Sequence, residues 1–300
     1  MDYRSGFVAV IGKPNVGKST LINALLGQKI AAVSPRPQTT RRRQLGILTL
    51  PETQIIFVDT PGLHTPRHKL GEYFNQEAEA ALEGVNVILF MVDASMDPDD
   101  EDQRIAALLK KLHHRSDILL ALNKIDLVPT SALDARREAY QATVPNATVF
   151  LVSAARGDGR EELLRALIDR LPLHPAEFPE EQVTDLYERE IAAELIREAA
   201  LVHLRLEVPH ALVVRLDEFS ERENGNAFIA ATLFVERDSQ KGIVIGEGGG
   251  MLKKIGSAAR QEIEAMSGRK VFLQLRVKVA KDWRDDEAAL RRFGYKIKRK

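Results

Sequence analysis

Over the first 170 residues, short continuous apolar runs alternate with amphipathic stretches. Phe7 to Ile11, Ile55 to Val58, Val87 to Val92, Ile118 to Leu122 and Val149 to Val152 have the length and continuity of strands buried on both faces. Between them, segments such as Glu101 to Leu112 and Glu161 to Leu171 repeat apolar residues at spacings of three and four, as helices do. Strands alternating with helices predict an α/β domain whose mainly parallel sheet is covered on both faces. Ligands in such sheets bind beyond the carboxyl ends of the strands.

Near Leu171 the pattern stops. Pro172, Pro175 and Pro179 fall within LPLHPAEFPEE, which cannot continue a helix. The expected organisation is a first domain over 1–171, a proline-rich linker over 172–182, a second domain over 183–281 and a basic tail over 282–300. In the second domain, Val183 to Leu204 reads as a helix and Ala211 to Phe219 and Ala227 to Val235 as strands. A glycine cluster, a helix from Met251 to Met266 and a strand from Val271 to Val279 follow. The predicted order α-β-β-α-β describes a small α+β domain.

Charge sharpens this division. The 300 residues hold 43 Lys and Arg against 43 Asp and Glu, yet residues 241–300 hold sixteen against seven, a +9 segment on a −9 body. A solvated charged face would explain this by itself; so would a terminal part that handles a polyanion. The absence of cysteine excludes a disulfide framework, a cysteine zinc site and a thiol nucleophile. No apolar run reaches the length of a membrane span, and the start MDYRSGFVAVIG lacks a signal-peptide pattern. The expectation is a soluble, cytoplasmic protein.

Gly12-Lys-Pro-Asn-Val-Gly17-Lys18-Ser19 matches G-x-x-x-x-G-K-[ST] between a predicted strand and the helical pattern from Thr20 to Leu26. In this motif glycines allow backbone N–H groups to wrap phosphates at a helix N-terminus. Gly12, Asn15, Val16, Gly17, Lys18, Ser19 and Thr20 are the expected phosphate-binding residues. Lys18 reaches the β- and γ-phosphates, and Ser19 ligates Mg²⁺. The run Ile55 to Val58 ends in Asp59-Thr-Pro-Gly62, where Asp59 can hold Mg²⁺ through water and the Gly62 N–H can meet a γ-phosphate. After Leu122 come Asn123-Lys124-Ile-Asp126. The Asp126 carboxylate can accept two hydrogen bonds from the N1–H and amine of guanine, and the Lys124 stem can cover the base. Ser153-Ala154-Ala155, after the last run, can offer backbone N–H to the guanine O6. Taken singly, the later three motifs are also ordinary polar turns.

In this order, each at a strand end, the four motifs resemble the GTPase superfamily over about the first 170 residues. The resemblance implies GTP, GDP and Mg²⁺ as ligands and a GTPase activity. Where the Ras-type arrangement has a glutamine after the D-x-x-G glycine, this chain has Leu63, so no glutamine orients the attacking water and the catalytic group stays unassigned. His64 follows and reads as an exposed switch-loop histidine. Similar GTPases with an apolar residue there hydrolyse GTP slowly, and several bind K⁺ through a phosphate-loop asparagine, the place Asn15 occupies. Ser34-Pro-Arg-Pro-Gln-Thr39-Thr40-Arg41-Arg-Arg43 is the expected switch I, with Thr39 or Thr40 closing on Mg²⁺; the resemblance favours Thr40. The run Arg41 to Arg43 reads as a solvated patch or a contact for RNA or an acidic face.

Val244-Ile-Gly246-Glu247-Gly248-Gly249-Gly250-Met-Leu-Lys253-Lys254-Ile255 resembles the V-I-G-x-x-G-x-x-I-K-x-I of the KH domain, whose G-x-x-G loop clamps about four nucleotides of single-stranded RNA. Gly246, Glu247, Gly248, Gly249, Lys253 and Lys254 are the expected RNA contacts. Glu247 and Gly248 stand where a basic residue would help hold phosphate, a loss that Lys253, Lys254 and the tail can offset. Trp283 with Arg291, Arg292, Lys296, Lys298, Arg299 and Lys300 forms a candidate RNA flank, although a tryptophan there is more often a packing residue than a base-stacking platform.

A GTPase domain, a proline-rich linker and a KH domain together are similar to the Era family of bacterial GTPases, as are Pro37-Gln-Thr-Thr-Arg41, Asp282-Trp283 and Leu290-Arg-Arg-Phe-Gly-Tyr295. That resemblance implies a monomeric switch that binds the 3′ end of 16S ribosomal RNA during 30S subunit assembly. Family members are also described as peripheral on the inner membrane. Two alternatives are an RNA-binding adaptor gated by nucleotide, with incidental turnover, and a P-loop ATPase or kinase, which Asn123 to Asp126 disfavours.

Overall fold

A computed structural model of the chain describes residues 3–33, 39–111, 117–222 and 225–295. The chain divides into two compact units. Unit 1 comprises 1–31, 40–65 and 74–185; unit 2 comprises 32–39, 66–73 and 186–300.

The elements in chain order begin with β1 (Arg4–Ile11), α1 (Lys18–Leu26), β2 (Gln44–Leu50), β3 (Thr53–Asp59), α2 (Lys69–Ala80), β4 (Val87–Asp93) and α3 (Asp100–Lys110). They continue with β5 (Asp117–Asn123), α4 (Thr130–Thr143), β6 (Thr148–Leu151) and α5 (Arg160–Asp169). The sheet order is β2-β3-β1-β4-β5-β6, with only β2 antiparallel to its neighbour. Successive side chains along a strand point to opposite faces. Thus Val8, Val10, Leu89 and Met91 pack with Leu21 of α1 and Leu163 of α5, whereas Ala9, Ile11, Phe90 and Val92 pack with Ile105 of α3 and Tyr140 of α4. Two cores on one sheet explain the continuous apolar runs, and the parallel strands bring their carboxyl ends to one edge.

β2, α2 and α4 are additions to the expected pattern. β2 is an edge strand interrupted by Gly46 and half-exposed toward its end, and α4 buries only Tyr140 and Thr143, so neither shows a clear apolar period. Leu112 and the expected tail residues Lys296, Lys298, Arg299 and Lys300 lie outside the described residues, as do Ser34 to Gln38 of switch I.

The proline-rich stretch is pinned to unit 1. The Ser5 N–H donates to Pro172 O (3.2 Å), Gln54 is hydrogen-bonded to the backbone of Glu177 and Phe178, and the Ile47 N–H donates to Val183 O (2.9 Å). The expected helix from Val183 therefore starts later, because Val183 and Asp185 are committed to β2.

Unit 2 contains α6 (Glu188–His203), β7 (Val213–Glu221), β8 (Ala227–Val235), α7 (Asp238–Ile245), α8 (Gly250–Ser267), β9 (Val271–Val279) and α9 (Glu287–Arg292). The sheet order is β7-β8-β9, with β8 and β9 parallel. One face packs on α6 and α8 through Ile229, Leu233, Ile196, Ile255 and Ile263. α7 adds a helix to the expected order. Among the described residues no helix is long and apolar enough to cross a membrane.

Candidate functional site

In unit 1 the loop after β1 carries an unusual backbone. Asn15 has φ 65° and Gly17 φ 101°. A Cβ on Gly17 would meet Asn123 Nδ2 at 2.2 Å, and one on Gly62 would meet Pro14 N at 2.4 Å, so both glycines permit close approach of neighbouring loops. Lys18 is buried, with its ammonium donating to the carbonyls of Gly12 (3.2 Å) and Lys13 (2.9 Å). Burial lowers its pKa to about 8, against the opposing pull of Asp59.

Ser19, Thr40 and Asp59 converge. Ser19 Oγ lies 2.9 Å from Thr40 Oγ1 and donates to Asp59 Oδ2 at 2.7 Å; the Thr40 hydroxyl and the Gln44 amide donate to the same oxygen at 3.2 and 3.3 Å. Asp59 is fully buried, which pushes its carboxyl upward against Lys18 and these hydrogen bonds, and its Oδ1 has no hydrogen-bond partner among the described residues. A buried carboxylate with an unused oxygen, beside two hydroxyls and an ammonium, suits a hard divalent cation shared with phosphate oxygens. Among the described residues no group of three His, Asp or Glu forms a cage that would bind such an ion without phosphate. The structure also separates the two threonines: Thr39 belongs to unit 2, where its carbonyl accepts from Arg197, whereas the Thr40 hydroxyl faces Ser19.

Asn123 ties two loops together. Its Nδ2 donates to Val16 O (2.7 Å) and its Oδ1 accepts from the Ala154 N–H (2.8 Å), which leaves one amide hydrogen for a base. Ser153 Oγ donates to Asp126 Oδ1 (2.6 Å), leaving the second oxygen of this half-buried carboxylate. The Ser153 N–H donates to Asp158 O (2.9 Å). Of the expected offer of Ser153-Ala154-Ala155 N–H groups to guanine O6, those of Ser153 and Ala154 are already used, and these two residues orient Asn123 and Asp126. Lys124 sits at φ 65°, with its ammonium 2.5 Å from Asp93 Oδ2. Burial would raise the Asp93 carboxyl, but the Lys124 and Ser95 hydrogen bonds hold it below its ordinary value.

Leu63 is buried, and its N–H donates to Gly12 O (3.2 Å). His64 is half-buried rather than exposed, because Asn75 bonds both its N–H and its carbonyl and its ring lies near Phe74. Sequence reasoning missed Gln44, Asp93 and Lys13. Lys13 pairs with Asp99 (2.6 Å) and Asp102 (2.8 Å) at the N-terminus of α3. The D-x-x-D capping box of Asp99 and Asp102 was the available signal.

In unit 2, Gly246 ends α7 at φ 71°, and a Cβ there would meet Met251 Cβ at 2.7 Å. Gly248 and Gly249 also have positive φ, but open space lies around both, and Glu247, Gly248, Lys253 and Lys254 are exposed. Beside this loop, a cleft of about 460 Å³ runs between α8 and β9, lined by Gly249, Lys253, Gly256 and Arg260 on one side and Phe272 and Leu275 on the other. An open glycine turn leading into a cleft with apolar walls and two cations can admit a nucleic-acid backbone with its bases inward. Trp283 is not available to it: the side chain is fully buried, donates to Ala211 O (2.8 Å) and packs edge-on to Phe293. The expected role of Trp283 in an RNA flank is therefore corrected to packing.

Comparison with known proteins follows the same division. Residues 7–124 match the family described as 50S ribosome-binding GTPase, and residues 207–284 match the KH domain. The chain is 48% identical to a GTPase Era of Geobacter metallireducens over 98% of both chains. It is similar to a crystal structure of Era in complex with MgGDPNP and nucleotides 1506–1542 of 16S ribosomal RNA, with a TM-score of 0.94, 39% identity, and coverage of 98% of this chain and all of that one. It is also similar to a single-residue variant of Aquifex aeolicus Era bound to GDP·AlF₄⁻, with a TM-score of 0.93, 38% identity and the same coverage.

Proposed function

The chain belongs to the Era family of GTPases, a GTP-hydrolysing P-loop domain followed by a KH domain, and from that premise we propose that it is a nucleotide switch acting on the 3′ end of 16S ribosomal RNA during 30S assembly. The observation that carries this reading is the convergence of Ser19, Thr40 and Asp59 beside the buried ammonium of Lys18. Thr40 comes from the switch I segment, so its hydroxyl can report whether a γ-phosphate is present. Ser19 and Thr40, with Asp59 through water, would hold Mg²⁺; when bound, the ion neutralises charge on the β- and γ-phosphate oxygens.

The other roles follow from the same geometry. The phosphate loop from Gly12 to Thr20 wraps the phosphates through its backbone N–H groups, Lys18 donates to the β- and γ-phosphates, and the Gly62 N–H meets the γ-phosphate. Asp126 accepts from the guanine N1–H and amine, Lys124 covers the base and Asn123 joins base and phosphate loops. Buried Leu63 supplies no side-chain amide to orient water. The K⁺ expected at Asn15 rests on family likeness, because the left-handed backbone there already accounts for an asparagine; equal turnover in Na⁺ and K⁺ would sink it. RNA enters the cleft beside Gly246 to Gly249, with Lys253 and Lys254 contributing a salt-dependent part of the affinity. A cytoplasmic monomer, peripheral on the inner membrane face in some conditions, completes the reading on family likeness.

Leu63 favours a second reading, an RNA adaptor gated by nucleotide with incidental turnover. Multiple-turnover GTPase rates with and without 3′-terminal 16S rRNA, in K⁺ buffer, separate the two. A switch requires faster turnover with RNA and RNA affinity that differs between GTP and GDP states, and the coupling in affinity must be reciprocal. RNA affinity that ignores the nucleotide would refute it.

A further inference from the structure

The face of the unit 2 sheet turned away from α6 and α8 carries a second feature. Along β9, Val271, Leu273, Leu275 and Val277 point to the core, so Phe272, Gln274, Arg276 and Lys278 lie on the outer face, and all four are exposed. On β8, Ala227, Ile229, Ala231 and Leu233 point inward, so Phe228 lies on the outer face as well. Phe228 and Phe272 are register partners in the parallel pair, and their rings stack at 5.7 Å with an interplanar angle of 13°. The Arg222 guanidinium lies over Phe228 at 4.6 Å.

The other end of this face is covered, because Phe293 of the α9 segment packs on Phe234 at 5.0 Å. Phe272 is 67% exposed and also lines the cleft beside α8. Since β9 is the edge of the sheet, Phe272 stands where the cleft meets the outer face. An aromatic pair with one exposed ring, Arg222 over the other ring and Arg276 further along the same face match the chemistry of an unpaired nucleotide, which offers a π-face to the ring and a phosphate to a cation.

We propose that Phe272, stacked on Phe228 and backed by Arg222, is a base-stacking platform that takes an unpaired RNA base just beyond the nucleotides held in the cleft, with Arg276, further along β9, contacting a phosphate of the following nucleotides. The inference rests on the reading of the cleft as an RNA site. It gives the domain a longer footprint than the four nucleotides of a glycine-loop cleft.

The test uses the full chain with MgGDPNP and two RNAs cut from the 3′ end of 16S rRNA, one of four nucleotides and one extended to eight. Affinities are measured by competition in fluorescence anisotropy. Phe272→Ala is expected to weaken the longer RNA about tenfold more than the shorter, the scale of one lost base stack, because the shorter RNA loses only a contact with the cleft wall. Phe272→Trp keeps both affinities. Arg276→Ala lowers the salt slope of the longer RNA alone by about one. Equal losses for the two RNAs on Phe272→Ala, or no loss for either, would overturn the platform. The variant with Gly246→Asp and Gly249→Asp separates the underlying reading: if it still binds the short RNA, the cleft assignment fails and the Phe272 result does not rescue it.

Discussion

Replacing Lys13 by Met tests how the phosphate loop is anchored. Its ammonium is held by Asp99 and Asp102, and these carboxylates raise its pKa against the lowering effect of burial. The Asp99 side chain is half-exposed, so that pair contributes at most about 1 kcal/mol. The Asp102 side chain is fully buried and its Oδ1 has no hydrogen-bond partner among the described residues. Methionine fills similar volume but removes the cation of this carboxylate, leaving it the Asp99 N–H at Oδ2 (3.1 Å), and breaking one side of a buried pair costs about 3–5 kcal/mol. Burial already raises the Asp102 carboxyl, and loss of the ammonium raises it further.

The sign of the pH dependence follows. At and below the unfolded carboxyl value of about 3.9 both states hold the proton and the deficit is small. As pH climbs, the unfolded chain ionises while Asp102 without its cation resists, so the deficit grows until the folded value is passed. The assay is urea unfolding of wild type and variant between pH 4.5 and 7.5 by far-ultraviolet circular dichroism. The single tryptophan, Trp283, reports unit 2 separately by fluorescence. A deficit of about 3 kcal/mol at pH 7.5 that shrinks toward pH 4.5 is expected, with most of it recovered by adding Asp102→Asn. A deficit under about 1 kcal/mol, or one indifferent to pH and to Asp102→Asn, would refute the reasoning.

Three further outcomes are expected. Because Lys18 in the free protein has a pKa near 8 and gains phosphate partners on binding, GDP affinity should be flat below pH 8 and fall by up to about tenfold per pH unit above it. Calorimetry in buffers of different ionisation enthalpy would show proton uptake near pH 8; its absence argues against a buried neutralised lysine. Asp126→Asn should shift preference from guanine to xanthine nucleotides, read by nucleotide competition, and unchanged GTP selectivity would overturn the guanine assignment. Trp283→Phe removes the hydrogen bond to the Ala211 carbonyl and should destabilise unit 2 by about 1–3 kcal/mol in urea unfolding, while leaving RNA affinity unchanged; loss of RNA affinity in the folded variant would restore Trp283 to the RNA flank.

The strands, the phosphate loop and the glycine turn were legible in the sequence because each is written in neighbouring residues. Runs such as Val87 to Val92 announce a doubly covered strand, and glycines at fixed spacing announce a backbone that other residues rarely adopt. β2 and α4 left weaker marks, since an interrupted edge strand and a mostly exposed helix bury too few side chains to impose a period.

What only the tertiary structure decided are pairings across long stretches of chain. Thr40 rather than Thr39 faces Ser19, the Ala154 N–H is used by Asn123, Lys13 is tied to α3, and Trp283 lies inside unit 2. Each depends on which of several equally suitable donors and acceptors the packed sheet brings within about 3 Å. Local periodicity carries the identity of an element, but a hydrogen bond between residues far apart in sequence exists only once the fold has closed the distance between them.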